Sequence, residues 1–391
     1  MEKKMNKIFF VSSCYSYFVN GMLVLMTGAI LTYLMKDYGL SYYQGGLLVS
    51  IQATGSLLSG LLSGVIIHFL GKRKTMLFAS LMFIIGFGGI IFTSQPVILF
   101  FLIFLTGIGW GINNNLLNIL VGESDNENGS YTNILHMGYA IGAFISPLML
   151  SAFINWGISW KIAVAIIVAA AGLLFLVFTK VPFSAETQKV KTKEKLSFEF
   201  LKDPRYFVYM MILFTYVGAE IGLNAWLVTY LVEKGIMDIA KAQLMLSLLW
   251  VVIIFGRMFT AFISKYIPKD IILLGQCGSM LLFYGLFMVN KNPLIAAAVI
   301  VAIGISMAGI YPTTVANANH IVTGTSLGSG IMFAGGSLGA TIVPYIAGAV
   351  AENNGIGAGM ISNFVIVVIM AILAVVNRIL TKKHTQKLKG V

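Results

Sequence analysis

Charge is what this chain has least of. Of its 391 residues only 10% are Asp, Glu, Lys or Arg, while 58% are hydrophobic, and the mean hydropathy is +0.90. Soluble domains carry roughly 25% charged residues, so a water-soluble body is excluded. Cysteine is nearly missing too: Cys14 and Cys277 both fall in apolar runs, which supports neither a disulfide framework nor a metal site. The chain has no phosphate-cradling Gly-Lys-Ser/Thr loop and no Ser, His and Asp set outside apolar stretches, so an ATP-driven pump or an enzyme is not expected, and no cofactor is implied. Acids are scarcer than bases, 14 against 26, for a net charge of +12. No soluble stretch is long enough to turn that surplus into a nucleic-acid surface, which leaves the cytoplasmic banking of Lys and Arg seen in membrane proteins.

What fills the chain instead is a series of long apolar runs. At about 20 apolar residues per crossing, spans are predicted near 8–34, 43–69, 75–93, 97–121, 132–155 and 159–180, and again near 206–232, 240–264, 271–289, 294–317, 325–350 and 357–380. The fold class is therefore an all-α membrane protein of twelve helices in two six-helix bundles. Residues 1–180 are expected to form the first bundle, 181–204 a Lys-rich cytoplasmic linker, and 205–391 the second bundle with a short tail. The apolar run after MEKKMNK shows no small-residue cleavage site and reads as the first span. With both termini cytoplasmic, twenty of the 26 basic residues lie inside, five outside, and Arg257 within a span. That bias fixes the orientation in a cytoplasmic (inner) membrane. The Asn128 sequon in ESDNENGS (Glu123–Ser130) is then cytoplasmic, and glycosylation is not expected.

The two sets of spans are copies of one another. A shift of 197 residues aligns Thr32, Tyr33 and Leu34 with Thr229, Tyr230 and Leu231, Pro96 with Pro293, Gly107 with Gly304, and Gly138, Gly142 and Pro147 with Gly335, Gly339 and Pro344. Chance matches of Leu carry no weight in so apolar a chain, but Gly and Pro pairs at one constant shift do. Parallel six-helix repeats are the plan of one large transporter class, with the solute site between halves near mid-bilayer.

Against that background Glu220 stands out as the one carboxylate well inside an apolar run, in YVGAEIGLNAWLVTY (Tyr216–Tyr230). An acid at mid-helix costs about 2.5–3.5 kcal/mol to insert, so it faces a cavity, a partner or a proton path. Asn224 lies one turn on and shares its face. The duller alternative is that Glu220 merely pairs with a buried polar group. Counting about 1.5 Å per residue, Glu220 lies roughly 21 Å along its helix, Asn20 about 18 Å and Gln52 about 14 Å, so the three can share one depth. Asn20 and Gln52 are candidates for solute hydrogen bonds, or else amide pins between helices. Among Asn113, Asn114, Asn115 and Asn118, the pair Asn114 and Asn118 can line a cavity together while the other two point elsewhere.

The runs GIGWGINNNLLNILV (Gly107–Val121), NILHMGYAIGAFISP (Asn133–Pro147), YVGAEIGLNAW (Tyr216–Trp226) and GIYPTTVANAN (Gly309–Asn319) carry a resemblance across nearly the whole chain. It resembles the major facilitator superfamily, and within it the fucose, galactose and glucose proton symporters. The resemblance implies alternating access and proton-coupled uptake of a sugar or similar polar solute. It departs in two places. GVIIHFLGKRK (Gly64–Lys74) puts His68 where the family loop carries an acid, and the first helix, in which fucose permease-like relatives carry a coupling acid, has Asn20 and no carboxylate. Coupling then rests on Glu220, with or without His136, whose imidazole titrates near neutral pH or is instead a structural partner of Asn133 or a fourth-helix Asn. Solute candidates are Asn20, Gln52, Asn114, Asn118, Tyr139, Asn224, Trp226 and Tyr311, the last two able to stack on a pyranose face or simply pack. Gating candidates are His68, Arg73 and Arg257. Arg257 either latches onto an acid such as Glu123 or snorkels to the interface. The expected partners are a small solute, protons and lipid, for a monomer. Two alternatives stay open: proton antiport of a drug-like amphiphile, and a solute-sensing receptor, for which the short linker and tail leave little room.

Overall fold

Apolar length and a few glycine breaks set the architecture. The computed structural model describes residues 6–93, 95–122, 130–181, 198–322 and 326–388, which are helical apart from short turns. α1 (Lys7–Ala29) bends at Ile30 into α2 (Leu31–Tyr38), so the first predicted span covers both. α3 (Tyr42–Phe92) starts on a Ser41 capping box, in which the Ser41 hydroxyl and the Gln44 amide satisfy one another's backbone N–H groups. Its 51 residues would run about 75 Å, more than twice the roughly 30 Å of a bilayer core. The helix breaks at Gly71 (φ 75°, ψ 160°), a conformation an L side chain rarely adopts, so the predicted loop between the second and third spans shrinks to that glycine.

α4 (Pro96–Gly122), α5 (Ser130–Asn155) and α6 (Trp160–Lys180) complete the first set. After a 3₁₀ turn at Glu199–Lys202 come α7 (Pro204–Glu233), α8 (Ile239–Ile263) and α9 (Lys269–Val289). The predicted tenth span is two pieces, α10 (Pro293–Met307) and α11 (Ile310–Val322), parted just before Pro312, which has no N–H to carry the ladder onward. α12 (Ser326–Leu388) breaks at Gly355 (φ 77°, ψ 165°) as α3 does at Gly71. Ten described helices, counting α10 with α11, are long and apolar enough to cross a membrane. Residues 123–129, with Glu123 and the Asn128 sequon, and 182–197 of the linker lie outside the described residues.

The 197-residue repeat is written into the packing. Pro96 opens α4 and Pro293 opens α10, where a missing N–H costs nothing. Gly107 sits against the Gln52 carbonyl, and 197 residues later Gly304 sits 3.1 Å from the Leu249 carbonyl by its would-be Cβ. Gly142 and Gly339 press on the backbones of α1 and α7, at Phe18 and Phe214. Arg73 donates to the Val181 carbonyl at 2.9 Å, and at the same shift Asp270 pairs with Arg378. Such close backbone approaches are how helices associate in lipid, where burying apolar surface against another helix gains little over lipid tails.

Four pairs of elements do most to join the first set of helices to the second: α3 with α12, α5 with α8, α1 with α7, and α2 with α7. Many of their polar contacts cluster at one end, called here the distal end, which carries the turns at Gly39, Gly157 and Gly235. There Thr32 and Thr229, equivalent under the repeat, share a 2.9 Å hydrogen bond. Tyr42 donates to Glu233, the Tyr43 N–H to Glu352 at 3.0 Å, and Gln243 to the Ala29 carbonyl at 2.5 Å. Gly46 and Gly348 let α3 and α12 touch backbone to backbone, a Cβ on Gly46 falling 3.1 Å from the Gly348 Cα.

Candidate functional site

The site grows from α7. Glu220 is half-buried, and the Tyr216 hydroxyl one turn earlier donates to its carboxylate at 3.3 Å. The Tyr216 ring meets Tyr311 of α11, centroids 6.4 Å apart, and Tyr311 stacks nearly parallel on Phe333 of α12. Tyr311 is there because α10 and α11 part at Ala308 and Gly309, where a Cβ at Gly309 would strike Thr260 and Gln276. One turn past Glu220, Asn224 accepts from the Trp250 indole at 3.3 Å. Trp250, buried on α8, presents its ring to Tyr139 of α5, edge to face at 5.9 Å. The Trp250 ring thus joins the two sets of helices in mid-protein.

Two turns along α8 from Trp250 comes Arg257. Its charge is within electrostatic range of Glu220, Tyr216, Tyr311, Tyr139 and His136, yet no salt bridge joins Arg257 to Glu220 among the described residues. Its Nε is buried without a hydrogen-bond partner. Arg257 therefore belongs to the same field as Glu220, a neighbour the sequence did not suggest; Glu123, its expected latch partner, lies outside the described residues.

Across from it, α1, α4 and α5 supply a polar chain. The Tyr17 hydroxyl donates to Asn114 Oδ1 at 2.8 Å, Asn118 Nδ2 to the same oxygen at 3.3 Å, and His136 Nε2 pairs with Asn118 Oδ1 at 3.1 Å. The Tyr17 ring stands edge-on to His136 at 5.4 Å. His136 is exposed despite these neighbours, so its ring fronts open space rather than packed helix. Asn113 instead accepts from Ser16 at 2.7 Å, and Asn115 donates to Gly60 and Ser63. Those two pin α4 to α1 and α3.

Between the halves lies a small cavity of 20 Å³, room for about one water, with Gln52, Thr27 and Asn224 on its wall. Both protons of the Gln52 amide are committed, to Thr27 at 2.8 Å and Thr106 at 3.0 Å. Asn20 is fully buried and neither amide atom finds a partner; Asn224 Nδ2 is unpartnered as well. Trp226 points away from Glu220, donating its indole to the Pro344 carbonyl at 3.4 Å beside Tyr42 at the distal end. His68 is exposed and meets the ring of its own neighbour Phe69, and Arg73 ties α3 to the end of α6.

Glu220, Tyr216, Tyr311, Asn224, Arg257, Tyr139 and His136 are thus brought together, while Trp226, His68 and Arg73 stand apart. Three contributors were not anticipated. Tyr216 had a signal, since it precedes Glu220 by one turn. Tyr17 and Trp250 had none, because an aromatic in an apolar run reads as packing until its neighbour across the fold is known.

Comparison with known proteins gives a match to the Major Facilitator Superfamily family model over residues 13–328 and again over 237–390. Bypass of stop codon protein 6 of Saccharomyces cerevisiae is 22% identical over 381 residues, 87% of this chain and 76% of that protein. The glucose/mannose transporter GlcP of Bacillus subtilis is 22% identical over 343 residues, 85% of each chain. Among solved structures, the nucleoside transporter NupG superimposes with a TM-score of 0.74 at 15% identity, covering 97% of this chain and 100% of that one. A D-xylose-proton symporter superimposes with a TM-score of 0.76 at 14% identity, covering 94% and 96%.

Proposed function

The chain belongs to the major facilitator superfamily, whose members are membrane transporters and not enzymes, and from that premise we propose that the polar cluster around Glu220 lines a solute chamber and that the protein imports a sugar or similar small polar solute together with protons. The observation that carries the reading is Glu220 among hydroxyl, amide, indole and guanidinium groups drawn from both halves. Hydroxyl-rich solutes are recognised by such groups, and sugars are what the names of GlcP and the xylose symporter specify for those proteins. Residues 1–180 and 205–391 act as two six-helix bodies joined by the 181–204 linker, twelve crossings in all, with both termini on the cytoplasmic side of the cell membrane. The carrier works as a monomer.

In this reading the distal end is the outer face. Its seal, from Thr32, Tyr42, Tyr43 and their partners, leaves the chamber facing inward. A proton taken up by Glu220 from outside neutralises it, and the loaded carrier then rocks. Rocking is biased only by the difference in solute and proton affinity between the two states. Asn114, Asn118, Asn224, Tyr139 and Tyr311 hold the solute, with Asn20 and Gln52 at its edge. His136 passes protons along the first half, and Arg257, His68 and Arg73 govern opening at the cytoplasmic end. A chamber for lipophilic cations would offer aromatic and Met side chains around one acid; the amides and hydroxyls here favour a hydrated solute.

The test is transport in proteoliposomes. Glu220→Gln is expected to exchange solute across the membrane at normal rate while losing accumulation against a gradient. A variant that still accumulates solute removes Glu220 from coupling.

A further inference from the structure

The chamber holds two ionisable groups of opposite charge, and their register along the helices bears on the solute. The Trp250–Asn224 hydrogen bond fixes α8 against α7. From that point toward the cytoplasmic end, Glu220 lies one turn down α7, about 6 Å, and Arg257 two turns down α8, about 10 Å, on the faces that meet. The guanidinium and the carboxylate lie within electrostatic range of one another without a salt bridge among the described residues, and Arg257 Nε is buried with nothing to bond. The other titratable groups facing them are Tyr216 on α7, Tyr311 on α11, and Tyr139 and His136 on α5, with Tyr17 of α1 beside His136. Glu220 is the one carboxylate of the set.

Charge balance then distinguishes two kinds of cargo. With Glu220 ionised and no solute, the chamber carries one charge of each sign and is neutral overall. A proton on Glu220 leaves Arg257 with no carboxylate facing it among the described residues, because a guanidinium stays ionised in proteins. A neutral sugar would leave that cation uncompensated in a site closing to water, and an unpaired buried charge is strongly unfavourable. A carboxylate on the solute restores neutrality and matches the guanidinium fork, two parallel N–H donors to two oxygens. We propose that the solute carries a carboxylate, as an acidic sugar does, and that Arg257 binds it once Glu220 has taken up its proton. One proton and one anion cross together, the proton bound at the Glu220 carboxylate and the anion at Arg257, so the loaded and empty carriers both translocate with a neutral chamber. The proposal rests on the reading of a proton-coupled carrier of polar solutes and narrows its substrate class.

The test uses the full chain in liposomes with D-glucuronate and D-galacturonate, matched against D-glucose and D-galactose. The hexuronates are expected to raise the melting temperature of the protein and to be accumulated under an inward proton gradient. Clamping the membrane potential with potassium and valinomycin is expected to leave that uptake unchanged, because proton and anion cancel. Arg257→Gln is expected to weaken hexuronate binding about tenfold or more, the loss of a charge-assisted pair, and Arg257→Lys to keep part of it, the charge without the fork. The lysine variant also guards against a glutamine variant that fails to fold. Accumulation of neutral hexoses with exclusion of hexuronates overturns the proposal and leaves proton symport standing. Failure to bind any sugar, neutral or acidic, overturns both, and wild-type hexuronate affinity in folded Arg257→Gln overturns the role of Arg257.

Discussion

Asn20 is an amide sealed in the protein with no partner at either end. An unpartnered buried polar group costs about 1–3 kcal/mol, and the sequence does nothing to reduce it, which is what a group kept for a ligand looks like. Replacing Asn20 with Leu, of similar size, is expected to raise the melting temperature of solute-free protein while reducing the further rise that a bound sugar gives. A drop in solute-free stability would mean the amide bonds something structural. Gln52 differs in being bonded already: its amide protons hold Thr27 and Thr106. Gln52→Leu strands the Thr27 hydroxyl, leaves Thr106 only its bond to the Ile103 carbonyl, and is expected to lower stability in thermal denaturation by about 1–3 kcal/mol. The sequence made these two residues look alike, polar in apolar runs at like depth; only their neighbours separate them.

At the scale of elements, the glycines set how closely helices pass. Gly107 lies against the Gln52 carbonyl with no room for a Cβ, Gly304 leaves 3.1 Å to the Leu249 carbonyl, and Gly275 on α9 faces open space. Alanine is worth about 0.5–1 kcal/mol over glycine in mid-helix, and overpacking costs about 1–3 kcal/mol. Gly275→Ala is therefore expected to stabilise, Gly107→Ala to destabilise most, and Gly304→Ala to fall between, an order that melting in detergent checks directly. The start of α7 adds a pH dependence. Burial alone would raise the Asp203 carboxyl, but hydrogen bonds from the Arg205 side chain and backbone, with its charge, hold it below the ordinary value of 3.8. Their ion pair is 2.6 Å long. A depressed carboxyl contributes stability above its unfolded value that is lost as pH falls below about 4. Asp203→Asn is thus expected to show a shallower loss of stability on acidification than the native chain; equal slopes would mean the cap does no electrostatic work.

For the whole molecule, the proposed alternating access requires the distal seal to open. Tyr43 and Tyr345 face one another from the two halves, ring centroids 5.3 Å apart, beside a cavity of 390 Å³ whose wall includes Thr32, Lys36, Tyr42, Thr229, Glu233 and Glu352. With Cys14 and Cys277 replaced by Ser, Tyr43→Cys with Tyr345→Cys is expected to cross-link on mild oxidation, to stop transport, and to recover with reductant. Full transport by the oxidised protein would show that the halves do not part there. Tyr42→Phe, which removes the bond to Glu233, is expected to shift the population toward the outward-open state, read as faster labelling of a distal thiol.

By itself the sequence determined that this is a helical membrane protein of repeated halves, because the bilayer demands long apolar runs and because glycine and proline, whose backbone roles are specific, recur at one spacing. It also marked Glu220, since a carboxylate in apolar surroundings is expensive wherever the chain goes. What it left undecided is who faces whom. That Trp250 rather than Trp226 stands beside Asn224, and that Arg257 shares the electrostatic field of Glu220, was settled by the tertiary structure. The rotation of each helix about its axis and the crossing of α5 with α8 are fixed by packing between segments far apart in the chain, and no local pattern of residues encodes them.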